Sequence, residues 1–210
     1  VLELAVRHGC TTMRAHVEVD GYVELRGVEA LRRLQAEFSG MLDLTLIAFA
    51  QEGIFNDGVT RDLLREALKS GLEVLGGCPY MDGDQRRHID WCFDTAVTFR
   101  VPLDFHADVA DDPAMLTCDY IAEQTIARGL QGRVTLGHLC TLDVLEPDHR
   151  ARVIDLLREA RIHVISLPAT EMHVKARADL RRTWRGVTRL AELRAAGVNV
   201  ALSTNNIVNP

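Results

Sequence analysis

Seven short apolar segments return about every thirty residues, and this beat constrains the fold more than any other feature. They occupy residues 12–18, 42–50, 72–80, 101–108, 133–140, 162–169 and 199–205, with starts 30, 30, 29, 32, 29 and 37 residues apart. Each segment is a near-continuous apolar run rather than a strict alternation, as parallel strands covered on both faces should be. Each gap holds an amphipathic stretch of helical length. Leu63, Leu64, Ala67 and Leu68 follow Thr60 at helical spacing, and Gly71 closes that helix. Gly197 closes another after Arg194-Ala195-Ala196. Asp112-Pro113 reads as a helix start, with Asp as cap and Pro in the first turn.

Seven units of strand and helix predict a (β/α)8 TIM-type barrel. The stretch 1–9 is helical in pattern and precedes the first visible strand, while the chain stops at Pro210 directly after the last. The expectation is an incomplete barrel over residues 1–210, holding strands two to eight and lacking the first strand and last helix. Exposed edges on such a piece would favour self-association, so a homo-oligomer is compatible with it. An open seven-stranded sheet, which needs no absent piece, is the alternative.

Composition excludes some functions. A net charge of −6 offers no attraction to nucleic acid or an anionic membrane surface, and no apolar run approaches the roughly 18 residues of a membrane span. Five scattered cysteines, with no Cys-x-x-Cys pair, argue against a disulfide framework and for a reducing cytoplasm. Glycine-rich phosphate loops and a Gly-x-Ser-x-Gly elbow are absent from the sequence.

In a parallel barrel the chemistry sits at the C-terminal strand ends. His106, in Asp104-Phe105-His106-Ala107-Asp108, and His138, in Val134-Thr135-Leu136-Gly137-His138, lie 32 residues apart and so fall on neighbouring strands. Two imidazoles there read as metal or acid–base chemistry; satisfied core histidines are the plainer reading. Other strand-end candidates are His16, Glu18, Gln51, Asp108, Glu171 and Asn205. Asp108 reads equally as a carboxylate capping the next turn. His8, His88 and His149 read as surface residues, and Trp91 and Trp184 as packing residues.

Met13-Arg14-Ala15-His16-Val17-Glu18, Ala48-Phe49-Ala50-Gln51-Glu52-Gly53-Ile54, Asp104-Phe105-His106-Ala107-Asp108, Gly137-His138, Pro168-Ala169-Thr170-Glu171-Met172-His173, Arg185-Gly186-Val187-Thr188-Arg189 and Ser203-Thr204-Asn205-Asn206 occur in that order. Together they resemble the cytosine deaminase group of the amidohydrolase superfamily. The resemblance implies one divalent metal ion, zinc or iron, at the barrel mouth. It implies His106 as the fifth-strand ligand, His138 as the sixth-strand histidine assisting a hydroxide, and Gln51 as the amide that hydrogen-bonds the heterocycle. His16 and His173 would line the pocket. Three positions depart from the family pattern. The first-strand His-x-His is absent, Asn205 stands where an eighth-strand aspartate ligand is expected, and Val109 replaces a proton-shuttling glutamate. Asp108, on the same strand as His106, is the carboxylate expected to substitute, ahead of Glu18 and Glu171. Metal binding by this piece alone is expected to be weak or absent. The implied activity is hydrolysis of a C–N bond in a small cytosine-like heterocycle, with a degenerate barrel that binds without turnover as the alternative.

Overall fold

The computed structural model describes residues 1–174 and 186–205. Trp184, Arg185 and the closing segment 206–210 lie outside them. The elements run α1 (Leu2–Arg7), β1 (Thr12–Glu18), α2 (Arg26–Glu37), β2 (Asp43–Ala50), α3 (Thr60–Lys69), β3 (Val74–Gly77), α4 (Gln85–Phe99), β4 (Leu103–Ala107), α5 (Cys118–Ala127), β5 (Val134–His138), α6 (Pro147–Glu159), β6 (His163–Ser166), α7 (Pro168–Val174), α8 (Leu190–Ala195) and β7 (Asn199–Leu202).

All neighbouring strands pair in parallel, and the sheet order is β1 to β7 in sequence. A doubly wound open sheet reverses direction at a switch point, where its ligand crevice forms. This sheet has no reversal. The seven strands form an incomplete (β/α)8 barrel, and the open-sheet alternative is set aside.

Apolar residues divide between the two faces of the sheet. The larger cluster joins Leu46, Ala48, Leu75, Leu103, Phe105, Val134 and Leu136 to the helices, through residues such as Leu64, Ile89, Phe93, Ile121 and Leu157. Each fully buried side chain of this size contributes about 1.5–3 kcal/mol. The smaller cluster, Ile47, Phe49, Val74 and Cys78 with Tyr80 against it, lines the inner face. Strand parity explains the division, because successive side chains point to opposite faces. On β4 it sends Phe105 to the helices and leaves Asp104 and His106 inside.

Several boundaries differ from the sequence reading. The third apolar run is a strand only over Val74–Gly77, because Pro79–Met81 turns into a 3-10 helix. Asp112 caps a three-residue 3-10 turn, Pro113–Met115, through Ala114 N–H at 2.9 Å, and the long helix begins only at Cys118. His88 is not a surface residue. It is fully buried on α4, with Nδ1 2.6 Å from Asp82 Oδ2.

Candidate active site

Four rings meet at the C-terminal end of the inner face. His106 contacts His16 of β1 with ring centroids 4.8 Å apart, Phe49 of β2 at 4.7 Å and His138 of β5 at 4.9 Å. Gly137, paired with His106 across the strands, makes room: a Cβ there would stand 3.4 Å from the His106 ring. Burial, then the adjacent imidazoles of His16 and His138, hold His106 well below the usual histidine range. It is therefore a neutral imidazole at neutral pH, with a lone pair to offer.

Parity alone would place Gly137 inside and His138 on the helix face. The backbone breaks the alternation. His138 has φ 78° and Leu139 φ 52°, left-handed values that non-glycine residues seldom adopt. The turn swings the His138 ring to His106. Its Nδ1 pairs with Glu171 Oε1 of α7, and its carbonyl accepts a hydrogen bond from Thr188 Oγ1. His138, Glu171 and Thr188 are all buried.

Below the rings lies a charged layer. Asp104, buried, meets Arg14 Nη2 at 2.8 Å and His16 Nε2 at 3.2 Å, while Arg14 Nη1 donates to Thr135 Oγ1 at 3.2 Å. The aspartate thus holds His16 edge-on against His106. Glu18, one inward position further along β1, is held above the usual carboxylate range by burial and by Asp20 and Glu52.

Gln51 follows β2 and is half-buried, and Cys78 and Gln51 both act on the Tyr80 phenol. Burial pushes the Cys78 thiol up to about 12 and raises the Tyr80 phenol, so both stay protonated. Tyr80 also lines a cavity of about 270 Å³ with Asp108, Val109, Ala110 and Met115. Sequence reasoning did not single out Tyr80. Its only signal was its position three residues past the strand-like pair Gly76-Gly77.

Asp108 is turned to a different task. Its Oδ1 accepts from Thr117 N–H at 2.8 Å and Thr117 Oγ1 at 2.7 Å, and its Oδ2 from Cys118 N–H at 3.1 Å. It caps α5 from the preceding loop, the plainer of its two sequence readings. Burial raises its pKa against those hydrogen bonds. Asn205 has φ 70° and an exposed side chain past β7, two strands beyond His138, and His173 is exposed on α7. Among the described residues no three His, Cys, Asp or Glu side chains form a group that could hold a metal ion.

The sequential parallel strands and the polar groups at their C-terminal ends define a (β/α)-barrel of the enzyme type. A family model described as the amidohydrolase family matches residues 2–210, and the chain belongs to that family. It is 30% identical over its whole length to a pterin deaminase from Rhizobium rhizogenes, covering 48% of that protein. It is 31% identical over 137 residues to an N-isopropylammelide isopropyl amidohydrolase from Pseudomonas sp. strain ADP, covering 64% of this chain and 34% of that protein. The crystal structure of 5-methylcytosine deaminase from Klebsiella pneumoniae with 5-fluorocytosine superposes with a TM-score of 0.93 at 30% identity, over 100% of this chain and 51% of that one. The chain spans about half the length of the relatives it matches most fully.

Proposed function

We propose that the protein carrying this barrel hydrolyses a C–N bond in a small, planar nitrogen heterocycle of the cytosine, pterin or triazine kind. The observation that carries the reading is the convergence of neutral His106 on His138, with the Gln51 amide at the C-terminal end of β2 in the same sheet. Gln51 presents donor and acceptor together, which matches a cyclic amide or amidine edge. His138 acts on the proton of the attacking water. Its partner Glu171 is buried beside it, whereas Asp108 spends both oxygens on the start of α5. We therefore assign the proton-handling pair as His138 with Glu171 and give Asp108 a positioning part.

A divalent ion, zinc or iron, belongs to the proposal only through His106, a buried neutral imidazole of the type such ions bind. The chemistry a bound ion supplies is Lewis acidity, which brings a water's pKa toward neutrality. Asn205 offers only a neutral carbonyl oxygen. The described residues do not complete a ligand set, so no step of the reaction is derived through the ion. Asn205 and Val109, where the resemblance leads one to expect carboxylates, favour the second reading, a barrel that binds its heterocycle without turnover.

The test uses the full-length protein. Metal analysis is combined with ammonia or alkylamine release from a panel of pterins, cytosines and aminotriazines. Turnover of at least one, with metal lost in His106→Ala, is the expected result. Binding of a panel member by calorimetry with no product would replace hydrolysis by the binding reading. Metal content unchanged in His106→Ala would remove His106 as a ligand.

A further inference from the structure

His138 is held at three points by three different elements. At the backbone, the left-handed conformation of His138 and Leu139 costs about 1–2 kcal/mol per residue and persists only where surrounding structure compensates. Leu139 N–H donates to Ala107 O of the adjacent strand at 3.2 Å, which fixes the turn from one side. Thr188 Oγ1 donates to the His138 carbonyl from the segment leading into α8, fifty residues on in sequence. At the ring, Glu171 Oε1 takes Nδ1. The ring then stands edge-on to His106, at an interplanar angle of 78°.

A carboxylate only accepts hydrogen bonds, so the Nδ1 it faces carries the proton. In a neutral imidazole that leaves Nε2 as the bare acceptor. Free imidazole side chains favour the opposite tautomer, with the proton on Nε2. An unsupported His138 would therefore spend most of its time with no lone pair at that nitrogen, and with its ring free to return to the helix face that parity prescribes.

We propose that Glu171 and Thr188 are positioning residues that lock His138 in the Nδ1–H tautomer, with its ring against His106 and Nε2 as the proton acceptor. This deepens the hydrolytic reading and rests on it for its kinetic consequence. Glu171 sets which nitrogen is bare. Thr188 sets where the ring points, because the carbonyl it binds belongs to the strained residue itself. Partners of this kind behind an active imidazole are worth about 10–100-fold in activity.

The test is made on full-length protein, labelled with 15N on histidine, by long-range proton–nitrogen correlation at a pH where the imidazole is neutral. The wild-type His138 is expected to show a protonated Nδ1 and an unprotonated Nε2. Glu171→Met, of similar length with no strong acceptor, should move the proton to Nε2, and Glu171→Gln, which keeps an acceptor oxygen, should hold it on Nδ1. On a turned-over heterocycle, Glu171→Met should lower kcat about 10–100-fold with KM within about twofold. Thr188→Val should keep the tautomer but lower kcat, and Thr188→Ser should restore it. A wild-type His138 with its proton on Nε2, or a tautomer unchanged in Glu171→Met, overturns the proposal. If the nitrogen signals behave as expected while no panel substrate is turned over, the lock stands and the hydrolytic reading falls.

Discussion

Among the described residues, two buried histidine–carboxylate pairs sit within this half-barrel, and they differ in what the second ring nitrogen meets. His138 bonds Glu171 through Nδ1 from a strained strand end and turns the rest of its ring to His106 at the mouth. His88 bonds Asp82 through Nδ1 from the regular helix α4, and its Nε2 lies under Gly77 without a hydrogen-bond partner among the described residues. Asp82 also accepts from Ile54 N–H at 2.8 Å and Phe55 N–H at 2.9 Å, so this pair ties the loop after Gln51 to the loop after β3. The chemistry of the two pairs is the same. One ring faces a second imidazole and the other is an anchor.

The sharpest separation comes from alanine at each histidine of the full-length protein. His138→Ala should lower turnover per folded molecule by about 10²–10⁴, because the proton-handling group is lost, and should also lower the melting temperature, because it strands the buried Glu171. His88→Ala should cost about 3 kcal/mol through the stranded Asp82 and the void, but with turnover per folded molecule largely kept. Melts and steady-state kinetics on both variants decide it. A large turnover loss in His88→Ala at unchanged KM would erase the distinction.

Gly77→Ala should act only on the anchor. The added Cβ would lie 2.6 Å from His88 Nε2 and 2.9 Å from its Cε1, a clash that overpacking data put at about 1–3 kcal/mol. Denaturant unfolding measures it. A neutral result would mean that α4 slides freely against β3.

The smallest effect is a slope. Burial above all holds His88 below the usual value near 6.5, against the pull of Asp82. The unfolded chain therefore takes up this proton at higher pH than the folded one. Below about pH 6.5 the unfolded state binds more protons, so stability falls as pH falls toward the folded value. His106, also held low, adds in the same direction. Melting temperatures read between pH 7.5 and 5.5 should decline, and His88→Asn should flatten the decline without abolishing it. An unchanged slope would mean that His88 takes up its proton at the same pH in the folded and unfolded chain.

The fold was legible because the barrel's repeat is written in the chain at low resolution. A run such as Leu46–Ala50 is apolar on both faces only because helices cover one side and the inner cluster fills the other. The ends of such runs were less legible. Pro79 stops β3 early, and Asp112 serves a local turn, since turn geometry depends on what the following residues can reach. The site was legible as residue types at strand ends: His106, His138 and Gln51 were all readable there. His88 was misread because helical periodicity around it is shallow, and only the packing of α4 on β3 reveals that this face is inward.

The sequence by itself determined the spacing of strands and helices, the family resemblance and the identity of the strand-end imidazoles, since these follow from local pattern. Tertiary structure decided the rest. It gave Asp108 to a helix start, Glu171 to His138 and Asp82 to His88, although each is a carboxylate near a histidine in one sense or another. A buried carboxylate takes whichever donors the fold brings within hydrogen-bond reach, and those donors lie between 6 and 33 residues away in sequence. It also reversed the facing of His138, because a left-handed residue at a strand end overrides the two-residue alternation that sequence alone can count.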